Sequence, residues 1–101
     1  MIKKVTDKRN NIASSGLRSY LRSMTPAQCR AGRALLAWTQ RELAEAAGVS
    51  DVTVRKFEGD RRSPHAGSLE LLRQAFERAG VVMIEADSDG GAGVRFVQPR
   101  S

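Results

Sequence analysis

At 101 residues the chain has room for one domain with short extensions, which excludes a multi-domain enzyme. Hydrophobic residues make up 41% and aromatics only 5%, so the expected core is small and built mainly from Ala, Leu and Val, and oligomerisation would add stability that so short a chain lacks. Lys and Arg outnumber Asp and Glu 17 to 11, giving +6 and pointing to nucleic acid or another anionic surface, while one cysteine and one histidine exclude an internal disulfide and a structural zinc cluster.

The excess charge is concentrated at the start. Residues 1–23 carry Lys3, Lys4, Lys8, Arg9, Arg18 and Arg22 against Asp7, a net of +5, and the remaining chain is nearly neutral. DNA binding by the rest must therefore rest on arrangement and not on net charge. Residues 1–14 read as a basic arm; Leu17, Tyr20, Leu21 and Met24 then fall at i, i+3, i+4 and i+7, so residues 1–23 are either an arm or a short helix. No run of even ten apolar residues occurs, so neither a secretion signal nor a membrane span is expected and the cytoplasm is the expected location.

Residues 24–80 read as a helical domain. Thr25, Pro26 and Gln28 form a helix start with Thr as cap, Pro at the first position and Gln closing a capping box. Ala31, Ala34, Leu35 and Trp38 then repeat at helical spacing and are expected to face the core. Thr39 and Glu42 repeat the capping-box logic for a second helix, which Gly48 ends. Ser50 caps a third helix with Val54 and Phe57 as its apolar stripe. Gly59 to Pro64 read as a loop, and Ser68 is the expected cap of a fourth helix carrying Leu69, Leu72, Phe76 and Ala79. Residues 81–101 hold two β-prone runs around a Gly/Asp-rich connection, a hairpin. Its Val82, Ile84, Val94 and Phe96 exceed what a monomer readily covers, so the hairpin is the expected dimerisation element.

The internal spacing of the second and third helices is specific. Counting from Gln40, Ala44 is fifth, Gly48 ninth and Val54 fifteenth. A small residue lets the helices cross closely, glycine permits the turn, and valine fills the wedge. Leu43, Ala47, Val49 and Phe57 complete the apolar set.

Residues 25–79 resemble the phage-repressor-like (Xre/Cro) helix-turn-helix family, through Gln28-Cys29-Arg30-Ala31-Gly32-Arg33, Thr39-Gln40-Arg41-Glu42-Leu43-Ala44, Ala47-Gly48-Val49-Ser50 and Val54-Arg55-Lys56-Phe57-Glu58-Gly59. Family members often carry a fifth helix where this chain has its hairpin. The resemblance implies a mostly α fold, a compact four-helix domain with a C-terminal hairpin. It also implies a sequence-specific regulator of double-stranded DNA, a repressor binding an inverted repeat as a homodimer with its third helix in the major groove. Ser50, Asp51, Val52, Arg55 and Lys56 then become base contacts: Arg55 or Lys56 to guanine, Asp51 to cytosine N4, Val52 to a thymine methyl. Gln40, Arg41, Thr53, Arg61 and Arg62 become phosphate contacts, and Arg33 with Glu58 a structural ion pair. The plainer alternative for Arg55 and Lys56 is an exposed, solvated helix face. Cys29 and Trp38 are read as packing residues and His65 as a loop or helix-entry residue. The alternative function is a protein-interaction adaptor or antitoxin-type autoregulator whose hairpin binds a partner protein. The sequence shows no nucleophile with a base, no paired carboxylates in an apolar run and no glycine loop opening a helix, so neither enzyme activity nor a cofactor is expected.

Overall fold

The computed structural model describes residues 24–59 and 65–99. The segment 1–23 and the candidate phosphate contacts Arg61 and Arg62 lie outside the described residues. Within these bounds the order is α1 (Pro26–Leu36), α2 (Gln40–Ala47), α3 (Asp51–Glu58), α4 (Ala66–Arg78), β1 (Val81–Ile84) and β2 (Gly93–Phe96), four helices followed by one antiparallel hairpin.

The helix starts follow local side-chain chemistry. Thr25 Oγ1 accepts from Gln28 N at 3.0 Å while Thr25 N donates to Gln28 Oε1 at 2.9 Å. Thr39 and Glu42 repeat the exchange at 3.0 and 2.8 Å. Both boxes satisfy N–H groups that a helix leaves without internal partners. α4 departs from expectation. It begins at Ala66 after His65, with no side-chain cap, and Ser68 lies inside its first turn. The turn is closed through the backbone instead, Leu69 N donating to His65 O at 3.1 Å.

The buried face of α1 also differs from the expected Ala31, Ala34, Leu35 and Trp38 stripe. Ala34 and Leu35 are exposed, Trp38 lies past the helix end, and the buried positions are Gln28, Cys29 and Gly32. The reason is steric and polar. Gly32 lets α1 press on the fully buried Phe76, where an added Cβ would stand 2.8 Å from the ring. Trp38 stacks on the same Phe76 ring, with centroids 6.1 Å apart. Alanine in a helix interior normally stabilises by about 1 kcal/mol over glycine, but overpacking a core costs about 1–3 kcal/mol. Gly32→Ala is therefore expected to lower the melting temperature; a rise would show that the ring yields and the contact is loose.

Pairing in the hairpin is Val81 with Phe96, Val82 with Arg95, Met83 with Val94 and Ile84 with Gly93. Val81, Met83, Val94 and Phe96 thus share one face, and that face packs on the helices. Of the four apolar residues expected to exceed what a monomer covers, Val94 and Phe96 pack on the chain's own core, while Val82 and Ile84 fall on the other face of the hairpin. The hairpin is further tied to α1 by the buried Gln28, whose Nε2 donates to Ile84 O and Gly93 O, both at 3.0 Å. One amide therefore caps a helix and clamps both strands.

Candidate nucleic-acid interface

α2 and α3 meet through the apolar set read from their spacing. Leu43 and Val54 are fully buried, Ala44, Ala47 and Phe57 nearly so, and Val49 packs against them. Gly48 ends α2 at φ +75°, a left-handed conformation that a side chain would strain. Ser50 then caps α3, its Oγ accepting from Thr53 N at 3.1 Å and meeting Thr53 Oγ1 at 2.9 Å. Arg78 Nη2, on α4, donates to Ala46 O at 2.9 Å and covers a carbonyl in the last turn of α2, just before Gly48. The angle between α2 and α3 is thus set by packing between them and by hydrogen bonds on both sides of the Gly48 turn.

A single carboxylate joins three helices behind this unit. The Glu58 side chain is only 3% exposed. Its Oε1 accepts from Arg33 Nη2 at 2.7 Å and Gln40 Nε2 at 3.0 Å, and its Oε2 from Arg33 Nε at 2.8 Å and Cys29 Sγ at 3.1 Å. Burial raises the carboxyl's pKa, but the hydrogen bonds from Arg33, Gln40 and Cys29 and the Arg33 charge outweigh it, and Glu58 stays ionised below its ordinary range. The same burial, together with the adjacent Glu58 charge, pushes the Cys29 thiol well up, so it remains a protonated donor. Arg33 Nη1 also donates to Trp38 O at 3.0 Å. Arg33 and Glu58 therefore meet as a two-pronged pair inside the domain, and Gln40 joins them through one of its two amide hydrogens.

The outer side of α3 has a different character. Val52 is 43% exposed, unusual for a valine beside a well-formed core, and Arg55 and Lys56 are exposed next to it. Arg55 Nη1 donates to Asp51 Oδ2 at 2.7 Å, one turn earlier on the helix. That hydrogen bond lowers the Asp51 pKa, with smaller help from the Arg41 charge. Two candidate base contacts thus form one unit in the unliganded chain. An open groove of about 560 Å³ runs along this side, lined by Arg30, Arg33, Gln40, Val52, Arg55, Lys56, Glu58 and Gly59. It gathers four cations, the Glu58 carboxylate, an amide and one apolar side chain on a single surface. Among the described residues no three His, Cys, Asp or Glu side chains gather as metal ligands, and no helix is long and apolar enough to cross a membrane.

A protein-family model described as helix-turn-helix matches residues 30–79, the span from the middle of α1 to the end of α4. The chain belongs to the phage-repressor-like helix-turn-helix family. No curated relative matches it. Membership makes this phage-repressor-like protein a DNA-binding regulator that acts on double-stranded DNA. The match ends before the hairpin, so β1 and β2 lie beyond the shared unit.

For this family member, three features of the interface escaped the sequence reading. Arg30 faces the groove, and its Nη1 donates to the backbone carbonyl of Glu58. Gln40 is held by Glu58, and Cys29 is a donor to the same carboxylate. Helical spacing offered a signal for the first: Arg30 is one turn before Arg33 and so shares its side of α1.

Proposed function

We propose that the protein is a sequence-specific repressor that binds an inverted repeat as a homodimer, with α3 lying in the major groove. The observation that carries this reading is the contrast between the two sides of α3. Its inner side is fixed by Val54, Phe57 and the Glu58 contacts, while its outer side presents Asp51, Val52 and Arg55, a base-reading set of acceptor, methyl-packing surface and bidentate donor. Lys56, exposed in the last turn of α3, stands beside this set and not within it. Ser50, spent as the α3 cap, would contribute through its hydroxyl, and Gln40, Arg41 and Thr53 lie beside the path of the backbone. Gln40 keeps one amide hydrogen for a phosphate while Glu58 holds the other. Repression by occupying a site needs nothing beyond this unit and a contact between two copies.

For that contact the hairpin offers Val82, the 36% exposed Ile84 and the 53% exposed Val97, along a sheet of only two strands. Removing the whole hairpin is no clean test, because Val81 and its neighbours belong to the core. Selecting bound duplexes from a random pool and sedimenting the intact chain with and without Ile84→Asp test the proposal together. A two-fold-symmetric site, a wild-type dimer at micromolar concentration and a monomeric variant are expected. Recovery of no preferred duplex would overturn sequence-specific binding, and a monomeric wild type, or an Ile84→Asp protein that remains a dimer, would overturn the hairpin contact.

A further inference from the structure

The groove beside α3 contains four cations, but they are not equivalent. Arg33 is committed to Glu58 and Arg55 is paired with Asp51. Among the described residues, Arg30 and Lys56 have no carboxylate partner, so the groove's uncompensated positive charge lies on these two side chains. Both stand at the C-terminal end of α3: Lys56 is in its last turn, and Arg30 reaches the Glu58 carbonyl from α1.

That end of a helix normally repels an anion, because its unpaired carbonyls carry the negative pole of the macrodipole. Here Arg30 alters the surface. One nitrogen of its guanidinium covers the Glu58 carbonyl, and the remaining N–H donors keep a full positive charge beside the groove. Lys56 adds a point charge on a four-carbon stem, which suits a phosphate better than the planar, bidentate edge of guanine. Arg55 and Lys56 both lie in the last turn of α3, but Arg55 is tied back to Asp51 in the first turn, the base-reading end of a recognition helix, whereas Lys56 has no such tie among the described residues.

We propose that Arg30 and Lys56 form a phosphodiester-binding seat at the C-terminal end of α3, extending the DNA footprint onto α1 and making Lys56 a positioning residue that fixes register. This rests on the DNA-binding reading above and deepens it. Arg55 is left as the basic residue that reads sequence in α3.

The test uses the full chain and its selected duplex, with binding measured across a salt series. Arg30→Met and Lys56→Met are each expected to reduce the slope of log K against log salt by about 0.9, and the double variant by about 1.8, because each cation neutralises one phosphate. The ranking of duplex variants should stay the same in all three. Arg30→Lys should keep the wild-type slope, since charge and not the carbonyl brace is required. An unchanged slope in Arg30→Met with a lowered melting temperature would reduce Arg30 to a structural brace and overturn the seat. Lost discrimination at one base pair in Lys56→Met would make Lys56 a base reader and equally overturn it. A wild-type chain that binds no duplex would instead remove the underlying DNA reading.

Discussion

Glu58→Ala is expected to destabilise the domain by about 3–5 kcal/mol, the cost of removing one partner from a buried ion pair and leaving the other uncompensated. At roughly 4–8 °C per kcal/mol for a domain of this size, thermal unfolding would move by well over ten degrees. The loss would be large because Glu58 serves Arg33, Gln40 and Cys29 at once, and these side chains belong to two other helices. A second variant, Glu58→Gln, separates charge from shape. The folded carboxyl titrates below its ordinary value of 4.5, so its contribution is fully present above that value and is lost progressively as pH falls from there through the lower value of the folded state. Wild-type stability should therefore decline below about pH 4.5 partly through this group, and Glu58→Gln should show a shallower decline. Chemical denaturation across a pH series provides the measurement. An unaltered acid limb in Glu58→Gln, or a loss below 1 kcal/mol in Glu58→Ala, would show that the carboxylate is not the hub its geometry describes.

How much of this could be read from the chain depends on how far each interaction reaches. Capping boxes join residues three positions apart, so Thr25 with Gln28 and Thr39 with Glu42 were legible as letters in a row. The wedge of Leu43, Ala44, Gly48 and Val54 was legible because its spacing has few physical alternatives. α1 misled for the opposite reason. Its buried side holds an amide, a small thiol and a glycine, which together make no apolar stripe at helical spacing, while the apolar Leu35 faces outward. The role of Gln28 depends on carbonyls 56 and 65 residues away, which no local pattern reports. The hairpin was legible as two strands, but which residues share a face depends on a register set by the Asp87 to Gly90 turn. There Asp87 Oδ1 accepts from Asp89 N at 2.8 Å and Gly90 N at 3.1 Å. The interface followed the same division: α3 supplied its exposed residues from one short stretch, and Arg30 came to the groove only through the packing of α1.

Arg55→Ala is expected to weaken binding to the preferred duplex by about 1–3 kcal/mol, roughly 5- to 150-fold, if the guanidinium makes a bidentate guanine contact. The fold should be nearly unaffected, since the Arg55 side chain is 52% exposed and points away from Val54 and Phe57. The Asp51 carboxylate gives this prediction a further arm. In the unliganded chain it accepts from Arg55 Nη1, which leaves Nη2 and Nε for a base edge and restrains the direction in which they point. Two exposed charges on one helix hold each other weakly in water, so the pair does not block DNA; it limits the orientations that Arg55 samples. Asp51→Asn should therefore reduce discrimination at the base pair read by Arg55 while changing non-specific affinity little. The two variants, compared on the selected duplex and on a set with single base-pair changes, should lose discrimination at overlapping positions. Uniform weakening of Arg55→Ala across every duplex would instead place its guanidinium on the phosphate backbone, and the sequence-reading part of α3 would then reduce to Asp51, Val52 and the residues before them.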